Sequence, residues 1–203
     1  MRVVGIDLAG SEKRDSGYCA LASRKAAKVV ILHSDAEILE SLGKDKPGIV
    51  AIDAPLSLPK GRKSIDERDK NHFRQCDLEL RKLGIRFFPI TLGPMRMLTK
   101  RGMELKRKIK RLLPRVRVIE VYPGAAYDLF GTKRKNKKSI RSLFIKSGIK
   151  LQKRSFTQDE LDGVCCALVG RMALEKKAIS FGKGDGRIFI PKYDKRYLQP
   201  AGS

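Results

Sequence analysis

The 203-residue sequence contains no tryptophan, two histidines and four cysteines. The cysteines, Cys19, Cys76, Cys165 and Cys166, show no C-x-x-C spacing, so we do not expect a zinc site. A disulfide framework is not expected either, because adjacent cysteines rarely pair and a chain of this length can build its own core. We interpret Cys165 and Cys166 as small buried apolar residues.

Long apolar runs are also missing. No stretch approaches the roughly 20 residues needed to span a bilayer, and the first apolar segment is a short strand interrupted by Asp7 rather than a signal sequence. A composition of 41% hydrophobic and 33% charged residues is typical of globular proteins. We therefore expect a cytoplasmic protein with no membrane partner, folded as a single domain over residues 1–203.

Acidic residues are scarce, with 22 Asp and Glu against 45 Lys and Arg, a formal net charge of +23. The cations are concentrated: residues 100–117 hold nine with one acid, and residues 132–154 hold ten with none. A lysine-rich solvated surface is the alternative interpretation, but such surfaces usually balance Lys with Glu. The imbalance favours a polyanionic partner, and we expect a nucleic acid, either DNA or RNA.

The first basic segment has the pattern of an amphipathic helix. Met103, Ile109, Leu112 and Leu113 can form one apolar face, which leaves the cations to point outward. The residues proposed here to contact nucleic acid are Lys106, Arg107, Lys110 and Arg111, together with Lys133 and Arg134 from the second segment.

The apolar periodicity predicts strands and helices in a definite order. Strands are predicted at residues 2–8, 17–23, 27–33, 49–53 and 115–121, with a short last strand at 187–190. Helices are predicted at residues 35–42, 64–83, 123–129, 139–146 and 157–177, and the basic helix follows a loop at 85–95. Ser64 with Glu67 and Thr157 with Glu160 match capping boxes at the starts of two of these helices. Three meander strands followed by parallel βαβ links predict an α/β, ribonuclease H-like fold, with a central mixed five-stranded sheet and a helical insertion at about 60–114.

Several carboxylates occupy corresponding places in this order. Asp7 ends the first strand, Asp53 the fourth and Glu120 the fifth, while Asp159 and Asp162 lie in the first turns of the last helix. The first and fourth strands are neighbours in this topology, so their aspartates can project from the same edge of the sheet. Asp159 and Asp162 are three residues apart and therefore share one helix face.

Clustered carboxylates repel one another unless a cation neutralises them. Oxygen ligands without sulfur or histidine are typical of Mg²⁺ or Mn²⁺, and two such ions about 4 Å apart can activate water and stabilise the leaving oxygen of a phosphodiester. Asp159 can instead favour a helix N-terminus and Glu120 can pair with a lysine. Asp7 and Asp53 each end an apolar strand with no helix to cap, which favours a functional role.

Five segments carry a family resemblance. They are "GIDLAGSEKRDSGYCAL", "AIDAPLSLP", "RQCDLELRKLGIRFFPI", "EVYPGAAYDLFG" and "DELDGVCCALVGRMAL". In this order they resemble the domain of unknown function 429 family, described as predicted nucleases of the ribonuclease H fold. The resemblance implies that Asp7 and Asp53 are metal ligands and that the last helix supplies a further carboxylate.

The segment "DELDGVCCAL" is also similar to the closing helix of bacterial Holliday-junction resolvases, in which a D-x-x-D pair completes the site. This similarity applies to Asp159 and Asp162. Resolvases place a glutamate after the fourth strand, whereas this chain has Asp53. Arg74 and Arg81 lie where a substrate-facing insertion is expected, and a helix salt bridge with Asp77 is an equal alternative for both.

The interpretation that follows is a nuclease dependent on Mg²⁺ or Mn²⁺, with little sequence preference. Asp7, Asp53 and Asp162 are the expected metal ligands, and Asp159 and Glu120 are further catalytic candidates. Two alternatives remain. An actin-like or sugar-kinase nucleotide-binding protein shares this fold but requires two such halves, and a non-catalytic nucleic-acid-binding protein would need the cations but not the carboxylates.

Overall fold

A mixed sheet forms the centre of the molecule. A computed structural model describes residues 1–22, 27–68, 70–183 and 186–193. The strands are β1 (Val3–Asp7), β2 (Ser16–Leu21), β3 (Ala27–Leu32), β4 (Ile49–Asp53), β5 (Arg117–Val121), β6 (Ala178–Phe181) and β7 (Ile188–Pro191). They lie in the order β3-β2-β1-β4-β5-β7-β6. β1, β4, β5 and β7 are mutually parallel, whereas β2, β3 and β6 each run antiparallel to their neighbours.

The expected five-stranded sheet is therefore wrong in its strand number, because the sheet has seven strands. The last predicted strand is present as β7, and β6 was missed. This strand has only four residues, Ala178–Phe181, and begins immediately after the helix predicted to reach residue 177, so its apolar pattern was too short to indicate a strand.

The helices are α1 (Asp35–Asp45), α2 (Gln75–Lys82), α3 (Gly93–Leu112), α4 (Pro123–Leu129), α5 (Lys137–Lys146) and α6 (Gln158–Leu174). α1 and α3 cover one face of the sheet, packing on Val4, Ile6 and Ile52. α4, α5 and α6 cover the other face, packing on Val3, Ala51 and Ile119. Side chains alternate between faces along a strand, so Asp7 and Asp53 project on the side of α6.

Glycines let the backbone of α6 approach the sheet. A Cβ at Gly17 would lie 1.8 Å from the carbonyl oxygen of Asp159, and a Cβ at Gly5 would lie 2.1 Å from the nitrogen of Ala167. Gly163 in α6 is restricted in the same way by Gly17, with 2.8 Å to its carbonyl oxygen. These contacts place the first turns of α6 beside the carboxyl end of β1.

The predicted helix over residues 64–83 is wrong over most of its length, since only Gln75–Lys82 is helical and residue 69 lies outside the described part of the chain. The buried Arg62 organises the preceding segment as a loop. Its guanidinium donates to the carbonyl oxygens of Ser64, Ile65, Glu67 and Asn71. Those carbonyls are therefore satisfied without a helix.

The basic helix is present as α3, but it starts at Gly93, and the predicted apolar face is buried only in part, at Ile109. Its buried residues are Thr99, Arg101, Gly102, Leu105 and Ile109, whereas Leu112 is 47% exposed. Arg101 is held by acceptors, donating to Asp35 and to the carbonyl oxygens of Ala9 and His33. This arginine ties α3 to the loop that follows β1.

Among the described residues no helix is long and apolar enough to cross a membrane. The four cysteines are free and buried.

Candidate metal and nucleic-acid site

Asp7 and Asp53 end two adjacent parallel strands in matching register. β1 pairs with β4 from Val3↔Ile49 to Asp7↔Asp53. Residues paired in this way project on the same face of a sheet. The two carboxylates therefore lie side by side at the carboxyl edge, on the side covered by α6.

The last helix adds two more acids at this edge. Gly17 pairs with Asp7 and is also the residue against which the backbone of Asp159 packs. Asp162 follows one turn later and is close enough to act electrostatically on both Asp7 and Asp53. Asp7 thus has Asp53, Asp159 and Asp162 close enough for their negative charges to act on it.

Burial and mutual repulsion dominate the electrostatics of this edge. Burial raises the pKa of Asp7 well above its usual value, and repulsion from Asp53, Asp162 and Asp159 raises it further. Burial likewise raises the pKa of Asp53, with added repulsion from Asp162 and Glu120. Within the described residues, neither side chain accepts a hydrogen bond or forms an ion pair. These carboxylates have no cationic partner from that part of the protein.

Asp162 has partners that fix its orientation. The Tyr127 hydroxyl donates to Oδ1 at 2.6 Å, and the Gln158 side-chain amide donates to the same oxygen at 2.9 Å. Burial raises the pKa of Asp162 to about 6, even though both hydrogen bonds act to lower it. Oδ1 is therefore committed to the protein, which leaves Oδ2 for another ligand.

Glu120 belongs to a buried ion network rather than to the open carboxylates. It is 5% exposed. Its Oε2 accepts from the backbone nitrogen of Leu56 at 2.8 Å and from Arg74 at 2.7 Å, while Oε1 accepts a second bond from Arg74 at 2.7 Å. Asp77 contacts the same guanidinium with both oxygens. Both oxygens of Glu120 thus accept hydrogen bonds from the protein. Its negative charge repels Asp53 at the carboxyl edge and so helps to raise the pKa of that aspartate.

Arg74 is 3% exposed and lies between Glu120 and Asp77. The ion pair considered for it from the sequence is therefore present, and its guanidinium has no free surface for a phosphate. Arg81 is exposed instead, with its guanidinium 5.7 Å from the ring centroid of Phe73. Within the described part of the chain, Arg81 forms no ion pair with Asp77, whose carboxylate is taken by Arg74.

Two clefts flank the carboxylates. Asp7 and Asp159 line a cleft of about 270 Å³ together with Arg14, Asp15 and the first turns of α3. Asp53 lies at the wall of a second, largely apolar cleft of about 160 Å³ lined by Phe87, Phe88 and Tyr122. Met95 and Leu98 of α3 line both clefts. Half-buried Asp159 has a pKa raised by burial and then by repulsion from Asp15.

The carboxylates are coupled electrostatically but do not enclose a common point. In residues 1–22, 27–68, 70–183 and 186–193, no three His, Cys, Asp or Glu side chains are grouped so that they could hold one metal ion. The donor set nevertheless suits a hard divalent ion, because Asp7, Asp53 and Oδ2 of Asp162 are oxygen donors. A shared ion would require these side chains to rotate inward.

The remaining candidate cations have different environments, and Lys110 contacts the segment before β5 rather than the carboxyl edge. The Lys106 amine donates to the carbonyl oxygen of Leu56 at 3.4 Å, and the Lys110 amine donates to Pro114 and Val116. Arg134 donates to the Tyr122 hydroxyl at 2.8 Å and pairs with Asp128. Three further candidates are simply exposed: Arg107, Arg111 and Lys133.

Two residues that orient the site were not predicted from the sequence. Gln158 is four positions before Asp162, so the i,i+4 spacing could have indicated their contact. Tyr127 lies 35 residues from Asp162 along the chain. No local pattern reveals that pairing, because it exists only where α4 packs against α6.

Comparison with known proteins agrees with this architecture. RuvC of T. thermophilus in complex with a Holliday junction substrate matches with a TM-score of 0.51 and 15% identity, covering 86% of this chain and 96% of that chain. A structure of Thermus thermophilus RuvC matches with a TM-score of 0.46 and 17% identity, covering 87% and 97%. The first likeness shows the fold and confirms the α/β, ribonuclease H-like prediction. No curated protein matches the sequence.

The sequence also matches a protein family over residues 5–186. This span includes Asp7, Asp53, Glu120, Asp159 and Asp162. The chain therefore belongs to the family described as Protein of unknown function (DUF429).

Proposed function

We propose that this protein is a nuclease that hydrolyses phosphodiester bonds and depends on Mg²⁺ or Mn²⁺. The observation that carries the proposal is the register of Asp7 and Asp53. Two half-buried carboxylates stand side by side without a cationic partner from the described residues, in a chain with 45 Lys and Arg. Such an arrangement is unfavourable while both carboxylates are ionised, and a bound divalent cation would relieve the repulsion.

The residues fit a hard divalent ion by their donor chemistry. Asp7, Asp53 and Oδ2 of Asp162 would hold it, and two ions are the expectation from the number of acids at this edge. A bound ion would supply an activated water and would stabilise the charge on the leaving oxygen. Asp159 is proposed as a further catalytic carboxylate, because it lines the same cleft as Asp7.

The surrounding residues have defined supporting roles in this proposal. Tyr127 and Gln158 hold Asp162 in one orientation through Oδ1. Glu120 accepts from the backbone of Leu56 and so fixes the segment that follows β4. Because both of its oxygens are engaged, we assign Glu120 to positioning rather than to metal binding.

Nucleic acid is the proposed substrate because the protein carries 45 Lys and Arg against 22 Asp and Glu. The RuvC structure with a Holliday junction substrate supports the same substrate class. Contacts made mainly to phosphates carry little sequence information, so we propose weak sequence preference. A cytoplasmic location and a single domain also remain proposals.

The test is cleavage of labelled single-stranded, duplex, hybrid and junction substrates in low salt with Mg²⁺ or Mn²⁺. We expect Asp7→Asn to reduce the rate by at least about a hundredfold, because loss of a ligand charge weakens metal binding and the electrostatic stabilisation it provides. Asp66→Asn is the matched control, since Asp66 is exposed and pairs with the exposed Lys100 at the surface.

The comparison with binding separates the enzyme from a non-catalytic protein of the same fold. Asp7→Asn should still bind the substrates in EDTA. If the wild-type protein binds them but shows no divalent-dependent cleavage beyond that of Asp7→Asn, the nuclease proposal is wrong and the non-catalytic alternative is correct.

A further inference from the structure

A basic groove lies next to the acidic edge. It has a volume of about 330 Å³ and runs between α3 and the β5–β7 side of the sheet. Four cations line it: Lys106, Lys110, Arg117 and Arg187. Two of them, Arg117 and Arg187, were not among the candidates identified from the sequence.

The floor of the groove is an open strand edge. β7 pairs with β5 only at Glu120↔Ile188 and Val121↔Phe189, so residues 117–119 have no described partner on that side. The nitrogen of Arg117 donates to Gly48, on the β4 side. Backbone groups of successive residues in a strand point to opposite sides, so the N–H of Val118 faces the groove.

The four cations have no carboxylate partner among the described residues. Lys106 and Lys110 donate to backbone carbonyl oxygens, and the Arg117 guanidinium lies 4.9 Å from the ring centroid of Phe189. Glu120 is the one acid in the described part of the chain that lines the groove. Both of its oxygens are already engaged by Arg74 and by the backbone of Leu56, which leaves the positive charge of the groove uncompensated.

We propose that this groove binds the phosphodiester backbone of the nucleic acid, holding at least two successive phosphates between Lys106, Lys110, Arg117 and Arg187. Charged amines, a guanidinium fork and a free backbone N–H are the donors that phosphate oxygens accept from. An added peptide strand could also use the open edge. The four cations, which lack carboxylate partners in the described residues, favour a phosphate chain over a peptide.

The position of the groove gives it a role that rests on the proposed nuclease function. Glu120 lines both the groove and the apolar cleft that contains Asp53, and Leu56 lies at the end of the groove next to this boundary. A nucleic-acid strand with one phosphate at the carboxyl edge of the sheet would therefore continue over Leu56 into the groove. Substrates extended on that side should be bound more tightly than those that end at the cleaved bond.

The test uses the full chain and fluorescence anisotropy of labelled single-stranded oligonucleotides in EDTA. We expect Lys106→Gln/Lys110→Gln to weaken binding about tenfold at moderate salt. The slope of log Kd against log salt should fall in magnitude by about 1.4, since each neutralised phosphate of a single strand contributes about 0.7. Arg187→Gln is a second variant, at an exposed residue outside α3, and should give half that change in slope.

Lys146→Gln/Lys150→Gln is the matched control. It removes the same charge at two exposed lysines in and after α5, on the opposite face of the sheet. An equal loss of affinity in this control would mean that net charge alone governs binding, and the groove would then be rejected. Unfolding curves check that every variant is folded under the binding conditions, since Lys106 and Lys110 also donate to backbone carbonyl oxygens.

Competition identifies the ligand. We expect an unlabelled oligonucleotide to displace the labelled one better than inorganic phosphate or pyrophosphate does. It should also displace it better than polyglutamate of equal charge. Displacement by inorganic phosphate at equal affinity would indicate a free-anion site, and displacement by polyglutamate would indicate an acidic protein partner. Either result overturns the proposal.

The groove and the nuclease function fail in different ways. Normal cleavage by wild type, together with unchanged binding in both groove variants, rejects the groove alone. Weakened binding in both groove variants with no cleavage by the wild type rejects the nuclease and retains the groove.

Discussion

At the scale of single residues, the carboxylates of the sheet edge divide into two environments. Glu120 is surrounded by donors, with Arg74 and the backbone of Leu56 engaging both oxygens. Asp7 and Asp53 have other acids as the charged neighbours that shift their pKa values. Asp7 and Asp53 end their strands and Glu120 is the penultimate residue of β5, so a place near the end of a parallel strand does not by itself decide the role. The role of each carboxylate is decided by the presence or absence of a neighbouring cation.

The raised pKa of Asp162 makes the folding stability of the protein depend on pH. Its pKa in the folded protein is about 6, against a usual value of 3.8. A raised pKa means that the folded state binds the proton more tightly than the unfolded state. The stabilising effect is present below pH 3.8 and is lost as the pH rises through about 6. A pKa difference of this size corresponds to a free energy of roughly 3 kcal/mol.

Asparagine has no carboxyl proton to lose over this pH range. We therefore expect the free energy of unfolding of Asp162→Asn in EDTA to fall less between about pH 4 and pH 6.5 than that of the wild type. The asparagine oxygen can still accept from Tyr127 and Gln158, which keeps the helix in place. Urea unfolding at several pH values measures the effect. Parallel curves for the two proteins over this interval would contradict the assigned pKa.

At the scale of secondary-structure elements, α6 is the part that completes the edge. Its backbone lies directly against Gly5 and Gly17, and Gly163 is the matching residue on the helix. α6 also contributes more buried residues to one core layer than any other element, including Val164, Cys165 and Leu168. The same close packing that buries the helix therefore determines how far Asp159 and Asp162 lie from Asp7.

Gly17→Ala should destabilise the protein by about 3 kcal/mol or more, because the added methyl group meets backbone atoms of Asp159 that cannot rotate away. Any folded protein that remains should show a smaller rise in melting temperature on adding Mg²⁺, since the first turn of α6 would be displaced from Asp7. Thermal unfolding with and without Mg²⁺ measures both effects.

Gly43→Ala is the control for that substitution. Gly43 lies inside α1 and has nothing within 4 Å of an added Cβ. Alanine is favoured over glycine in a helix by about 1 kcal/mol, so this variant should be slightly more stable. Equal destabilisation by the two substitutions would show that the close approach of α6 does not govern the result.

At the scale of the whole molecule, a small group of acidic residues lies at one edge of the sheet of a protein whose net charge is strongly positive. The net charge is +23, and cations extend along α3 on one face of the sheet and along α5 on the other. Repulsion among them destabilises the folded chain when no polyanion is present. Binding to nucleic acid should therefore depend steeply on salt.

If about six phosphates are neutralised, the slope of log Kd against log salt should be about 4 in magnitude for a single strand. Affinity would then fall by roughly several hundredfold between about 50 and 200 mM salt. Anisotropy titrations in EDTA measure the slope, and an oligonucleotide with an uncharged methylphosphonate backbone is the control. Salt-independent binding, or equal affinity for the uncharged backbone, would contradict a phosphate-directed mode.

Much of this architecture could be predicted from local patterns. Ile49–Asp53 is a continuous apolar run and forms the strand that was predicted, and Thr157 with Glu160 forms the expected capping box at the start of α6. Other segments misled the same reasoning. The capping-box pattern at Ser64 does not begin a helix, because the buried Arg62 takes the carbonyl oxygens of that segment. That interaction depends on burial of a single side chain.

The candidate site likewise has features that local sequence patterns predict and features that depend on tertiary contacts. The sequence by itself placed Asp7 and Asp53 at strand ends and Asp162 near a helix start, because strand and helix periods are local properties of the chain. It also determined the cationic surplus. Only the tertiary structure decided that Glu120 is engaged by Arg74, that Tyr127 orients Asp162, and that Arg117 and Arg187 face one groove. These contacts join residues far apart in the chain, and their partners are set by how sheet and helices pack rather than by any local pattern.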